Sequence, residues 1–362
     1  MTTQSSDISD SPPKAIEATR KGSRLLQRVF WRVRPSVRKW IPFASVTLGY
    51  FLLSYLAGWA VGWRGPVFDV SVLLVWAVLG VMLVVACAIV FSVSRGAGTA
   101  LAHTGQVAIR FAVIAGAANL LVALLTGWRV SIPLVHPFSW DRTFHDWDLA
   151  LHGVEPWRVT HALLHLAAVR AWLPAAIDWS YSLAWLAANV FVVLILAIAP
   201  VNARGQRVLV AFVLGYAILG SLAAIVFSSA GPVYYGRVVA GPDPYAELVP
   251  SLTRHLPTFA AGATQLQSYL WHLYTVGDIK HTTGITAFPS MHVSSSTLLA
   301  LALGSWNRSA GVVGWVGVAL TLLGSVYLGW HYAVDGYAAV SGMLVLWWIA
   351  GWMTGDRPDS RD

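Results

Sequence analysis

The sequence predicts an all-α integral membrane protein, a helical bundle with about eight transmembrane helices. Three observations carry that prediction. Of the 362 residues, 57% are hydrophobic and only 11% are charged, whereas a soluble domain carries about 25% charged residues. Several apolar runs of about 20 residues contain no charge, so each can cross about 30 Å of hydrocarbon. The 19 tryptophans suit rings held at the lipid–water boundary. A large soluble core would not need charge-free runs of that length. The formal net charge of +8 does not indicate nucleic acid, because the basic residues gather before the first apolar run and form no groove interleaved with aromatics. Cys87 is the only cysteine, which excludes an intrachain disulfide and a zinc cluster built on thiolates.

The elements follow in order. Residues 1–40 form the N-terminal tail. It is rich in Ser, Thr, Asp and Pro to residue 19, and from Arg20 to Lys39 it is strongly basic. It is predicted to be disordered and cytoplasmic. The N-terminal transmembrane section, 41–127, contains spans at about 41–61, 67–93 and 106–127. Residues 128–180 mix short apolar stretches with Asp, His and Pro, and predict interfacial helices and a loop at the outer face. The section 181–352 carries spans at about 182–200, 208–228, 288–305, 310–328 and 332–352, interrupted by a long loop at 229–287. A short polar tail, 353–362, follows. Eight crossings return both termini to one side. The short connections on that side carry Arg95, Arg204, Arg207 and Arg308, which places both termini in the cytoplasm of a multi-pass cell-membrane protein. The long loops then lie on the periplasmic or extracellular face.

Two short stretches at that outer face concentrate the chemistry. In HYAVD, residues 331–335, His331 and Asp335 are four apart, so a helix beginning near Tyr332 stacks them on one face. A carboxylate there holds one ring nitrogen and leaves the other free to attack or to move a proton. In FPSMH, residues 288–292, Pro289 opens a helix at no hydrogen-bond cost. The first-turn N–H groups with Ser290 suit an anion such as phosphate, and His292 is placed to donate a proton to a leaving oxygen. Capping at either helix start is the plainer reading of each stretch alone. Together, two imidazoles, one carboxylate and a helix N-terminus at one membrane depth suit phosphoryl transfer through a phosphohistidine. A metal held by the two histidines and Asp335 is the other option for these side chains.

FPSMH and HYAVD resemble the second and third signature motifs of the type 2 phosphatidic acid phosphatase (PAP2) superfamily. The overall pattern, with GPVYYG at 231–236, is similar to the inositol phosphorylceramide synthase-like branch. The likeness covers roughly 180–350 and is weaker over the first three spans. It implies a six-helix catalytic core with extra N-terminal spans. His331 would be the nucleophile, Asp335 its orienting carboxylate and His292 the general acid, with Ser290 holding phosphate oxygens. It implies no metal and no cofactor. Implied partners are a lipid-linked phosphate or phospholipid substrate, the surrounding membrane lipids, and a polyol or sugar acceptor.

The sequence departs from that family in its cations. Ser325 stands where an arginine is usual, six residues before the histidine, and no Lys…Arg-Pro stretch precedes FPSMH. Arg237, after GPVYYG, is the leading replacement, with Lys280 behind it. Arg237 is otherwise a surface loop residue. Tyr234 and Tyr235 either bind a head group or anchor the loop. Asp141, Asp148 and Glu155 suit loop and cap roles better than acceptor binding. The expected function is a lipid phosphotransferase moving a phosphoryl or phospho-head group to an alcohol. A lipid phosphate or polyprenyl phosphate phosphatase is the alternative within the same chemistry, and a lipid transporter or scramblase is the alternative outside it.

Overall fold

The computed structural model describes residues 38–63, 65–95, 97–164, 172–198, 202–255, 262–277 and 284–356. The predicted N-terminal tail before Arg38, Lys280 and the end of the chain after Asp356 lie outside the described residues. Among the described residues the regular structure is wholly helical. Six of the described helices are long and apolar enough to cross a membrane. They are α1 (Ile41–Val61), α2 (Val70–Arg95), α3 (Ala97–Val135), α7 (Ala203–Leu214, continuing to Val226), α12 (Arg308–Tyr327) and α13 (Ala333–Thr354). Two more helices overlap predicted spans: α6 (Leu173–Ile198), which begins inside the region expected to be interfacial, and α11 (Met291–Trp306). With 16 residues α11 is about 24 Å long, short of a full hydrocarbon core.

Side-chain caps start several of these helices. Asn202 accepts from Gly205 N at 2.8 Å to open α7, and Asn307 accepts from Ala310 N at 3.0 Å to open α12. The region expected to begin at residue 128 begins differently, because α3 runs unbroken to Val135. GWRVSIP reads as a break because of its glycine, arginine and proline. Pro133, however, falls in the last turns of α3, and Trp128, Ser131 and Ile132 are buried and hold that end against the bundle. The extension carries Arg129 into the protein.

Close backbone approach fixes the hairpin of α11 and α12. A Cβ on Gly311 would stand 2.6 Å from Gly304 Cα, and one on Gly314 would stand 2.6 Å from Ala300 Cα. Small residues at such contacts are how helices gain packing in lipid. Both α6 and α13 pack on α11, α7 lies against α13, and α2 packs on α3. Most of α2 faces outward. Within α7 the stretch Gly215–Ala223 is π-helical. It is tied across the bundle by Tyr50 Oη to Ser221 Oγ at 2.7 Å and by Tyr216 Oη donating to Asn189 Oδ1 at 2.9 Å.

Short helices cover one end of this bundle: α4 (Asp141–His152), α5 (Pro156–Leu164), α8 (Tyr235–Val238), α9 (Leu248–His255) and α10 (Gly262–Val276). On α4, Asp141, Phe144 and Asp148 are buried, a spacing that puts all three on one helix face. Phe144 stacks on Phe288 at 4.6 Å, and a cluster of buried aromatics including Tyr235, Tyr245, Tyr327 and Tyr332 surrounds it. At the other end, Arg207 of α7 donates to the Trp347 carbonyl at 3.0 Å and pairs with Asp356 at 3.3 Å.

Candidate active site

The two motif stretches meet. Ser290 N donates to the Asp335 carbonyl at 3.3 Å, joining the start of α11 to the start of α13. Ser290 is the N-cap of α11, its hydroxyl accepting from Val293 N at 3.4 Å, so Pro289 lies one residue before the cap rather than in the first turn. His292 is in that first turn, stacked on Tyr181 of α6 with ring centroids 4.4 Å apart and planes at 21°.

The HYAVD stretch folds as its spacing predicts. Tyr332 is the N-cap and α13 begins at Ala333. His331 Nδ1 lies 3.4 Å from Asp335 Oδ2, the same oxygen that accepts from Tyr332 N at 3.0 Å. Both side chains are buried, Asp335 completely, and His331 Nδ1 and Asp335 Oδ1 make no hydrogen bond of good geometry. The backbone of Ala287 also meets the His331 ring. The preceding turn is tightly built. His331 N and Trp330 N both donate to the Ser325 carbonyl, at 3.3 and 3.1 Å. Gly231, at φ +100, packs so close that a Cβ would stand 2.6 Å from the Trp330 carbonyl oxygen.

The outer helix α4 clamps this assembly with its two buried carboxylates. Asp148 accepts from Ala333 N at 2.8 Å and Val334 N at 3.0 Å, capping α13 from outside its own sequence. Asp141 accepts from Ala230 N at 2.9 Å, Gly231 N at 2.8 Å and Tyr332 Oη at 2.9 Å. Burial pushes both carboxyls above the usual aspartate range, and these hydrogen bonds pull them part of the way back. Glu155 instead pairs with Arg158 at 2.9 Å. The N–H groups that open α13 are therefore occupied by carboxylates.

The remaining expected residues lie around this centre. Tyr234 is buried, donates to the Gln267 carbonyl at 2.9 Å and stacks on Trp271 at 5.2 Å. Tyr235 packs against His145 and Tyr245. Arg237 is exposed, with its guanidinium over the Trp271 ring at 4.9 Å and the Tyr234 ring at 5.9 Å. The cation next to the two histidines is a residue that the motif reading passed over, Arg129 of α3. Its Nε donates to Thr286 Oγ1 at 3.1 Å, and its charge acts on His292, His331 and Tyr181. An arginine in the last turns of an apolar helix is the signal that would have found it, since intramembrane charge is costly and marks function by default.

No curated protein and no solved structure matches this chain. A family model described as the PAP2 superfamily matches residues 142–349, from the outer helix α4 through the last membrane helix and over more than half of the chain. With two histidines and an aspartate gathered where the two motif stretches touch, and six described helices long and apolar enough to cross a membrane, the chain belongs to the PAP2 superfamily as a multi-pass membrane enzyme of the lipid phosphatase and phosphotransferase type.

Proposed function

We propose that the protein is a lipid phosphotransferase of the inositol phosphorylceramide synthase-like kind. It would move a phosphoryl or phospho-head group from a lipid donor to an alcohol acceptor through a phosphohistidine on His331. The observation that carries this reading is the backbone bond from Ser290 to Asp335, which sets both motifs around one point. With Nδ1 turned to Asp335, the other ring nitrogen of His331 attacks phosphorus, and the bond from phosphorus to the donor alkoxide breaks. His292 gives that alkoxide its proton. The acceptor hydroxyl then attacks phosphohistidine and returns a proton to His292, and the N–P bond breaks. Asp335 stabilises the positive charge on the His331 ring during both steps. Ser290 and the first turn of α11 hold phosphoryl oxygens. Arg237, exposed and lying over the Tyr234 and Trp271 rings, is the candidate for head-group contact outside the centre.

Transfer rather than hydrolysis is supported by the surroundings. The aromatic cover of α4 and the buried cluster around Tyr332 and Tyr245 limit the approach of water to a buried His331. The same reading counts α6 and α11 among eight spans, with both termini cytoplasmic and the site at the outer face. The test is to offer the purified protein a panel of lipid phosphates and phospholipids, with and without polyol acceptors, and to identify products by mass. A phosphorylated acceptor is expected. Free phosphate as the sole product, with every acceptor present, would reduce the reading to a phosphatase.

A further inference from the structure

Charge developing on a phosphoryl group calls for a fixed cation, and Ser325 cannot be it: the hydroxyl is turned to the Leu322 carbonyl at 2.7 Å. Arg129 is the described cation that reaches the site. The chain from Gly284 to Ser290 wraps across it. A Cβ on Gly284, at φ +134, would stand 2.8 Å from the Arg129 backbone carbon, and Thr286 Oγ1, two residues on, accepts a hydrogen bond from Arg129 Nε. Ala287, next in line, meets the His331 ring, and Ser290 caps the helix of His292. Arg129 is thus bound to the segment that carries the motif, although it lies outside the matched residues 142–349.

Two features of its surroundings suit an anion. Among the described residues no carboxylate stands within ion-pair distance of Arg129, and Thr286 occupies only Nε, which leaves the two terminal nitrogens of the guanidinium fork. Beside it, Tyr181 is 5% exposed, and its hydroxyl lies next to Ser290 without a hydrogen bond of good geometry. A buried hydroxyl in that state is a donor that a ligand can complete. A guanidinium fork and a phenol at the rim of a Ser290-capped helix match the non-bridging oxygens of a tetrahedral phosphoryl group.

We propose that Arg129 is the phosphate-binding cation of this enzyme, with the Tyr181 hydroxyl as its second donor. The assignment rests on the phosphotransfer reading for its role in turnover, but not for its ligand. The purified full-length protein in detergent is titrated with inorganic phosphate by ³¹P line broadening and assayed in parallel on its best lipid substrate. Arg129→Met is expected to weaken phosphate binding at least about 10-fold and to lower kcat about 100-fold. Arg129→Lys should retain part of both, because the point charge survives without the fork. Tyr181→Phe should weaken phosphate several-fold. His331→Ala should bind phosphate like the wild type and turn nothing over. Methionine is apolar and suits a membrane helix, and melting temperature verifies that the variant is folded. Wild-type phosphate affinity in Arg129→Met overturns the proposal. If Arg129→Met does not fold, unchanged affinity in both Arg129→Lys and Tyr181→Phe overturns it. If the wild type turns over no lipid phosphate yet binds phosphate through Arg129, the transfer reading fails and the subsite stands.

Discussion

In the proposed mechanism His331 and Asp335 divide one task between two side chains, and the division predicts how each fails. In that mechanism the imidazole forms the covalent bond, so His331→Ala would leave no nucleophile. Asp335 only orients and neutralises, so Asp335→Asn keeps the nucleophile but weakens the tautomer and the charge it stabilises. The expected result is a kcat lowered by at least about 100-fold, with KM nearly unchanged. Steady-state kinetics on purified variant checks it; a rise in KM at constant kcat would place Asp335 in ground-state binding instead. These two residues were legible in the sequence because they are four apart on one helix, and a local spacing survives any arrangement of the other helices. His292 was legible for the same reason, through its helix start. Arg129 was not. It reaches the site only because α3 ends beside the Gly284–Ser290 segment, more than 150 positions later in the chain. Its own neighbourhood, GWRVSIP, reads as an interfacial break. Arg237 attracted attention by proximity to a motif in sequence, and its contacts are with Tyr234 and Trp271.

The outer helix α4 shows the same limit at the scale of an element. Its amphipathic face, Asp141, Phe144 and Asp148, marks it as a surface helix packed on something, and capping was the expected role for its acids. Which helix they cap depends on tertiary contact: Asp148 serves α13, and Asp141 serves the loop at 230–231. Losing the cap should loosen the start of α13, where Asp335 sits. Asp148→Ala is therefore expected to cost about 1–2 kcal/mol of stability, read as a lowered melting temperature, and to reduce kcat with it. The charge adds a pH dependence. Burial raises the folded-state pKa of Asp148 above its unfolded value, so the folded protein holds that proton more tightly. Its contribution is fully present below the unfolded pKa of about 3.9 and is lost as pH rises through the folded pKa. Asparagine does not titrate. The melting temperature of the wild type should therefore gain on that of Asp148→Asn as pH falls from neutrality toward 4. A difference that shrinks on acidification would mean that the hydrogen bonds from Ala333 and Val334 outweigh burial.

For the whole molecule, the two ends of α13 support the proposed orientation. Its start holds the site, and its last turns lie where Arg207 meets the Trp347 carbonyl and Asp356. Twenty-two residues separate these ends by about 33 Å, one hydrocarbon thickness. The Arg207 end also receives the basic connections with Arg204 and Arg308, and basic short loops stay in the cytoplasm. In the proposed orientation the site faces outward, and the substrate is then a lipid phosphate presented in the outer leaflet. Single cysteines make this testable, because Cys87 is the only native one and is buried in α2. In a Cys87→Ser background, Ala246→Cys lies exposed before α9, and Ser309→Cys lies exposed at the start of α12. A membrane-impermeant maleimide added to intact cells should label Ala246→Cys and spare Ser309→Cys until the membrane is permeabilised. Labelling of Ser309→Cys alone in intact cells would invert the protein, and with it the side of the membrane from which the substrate must come.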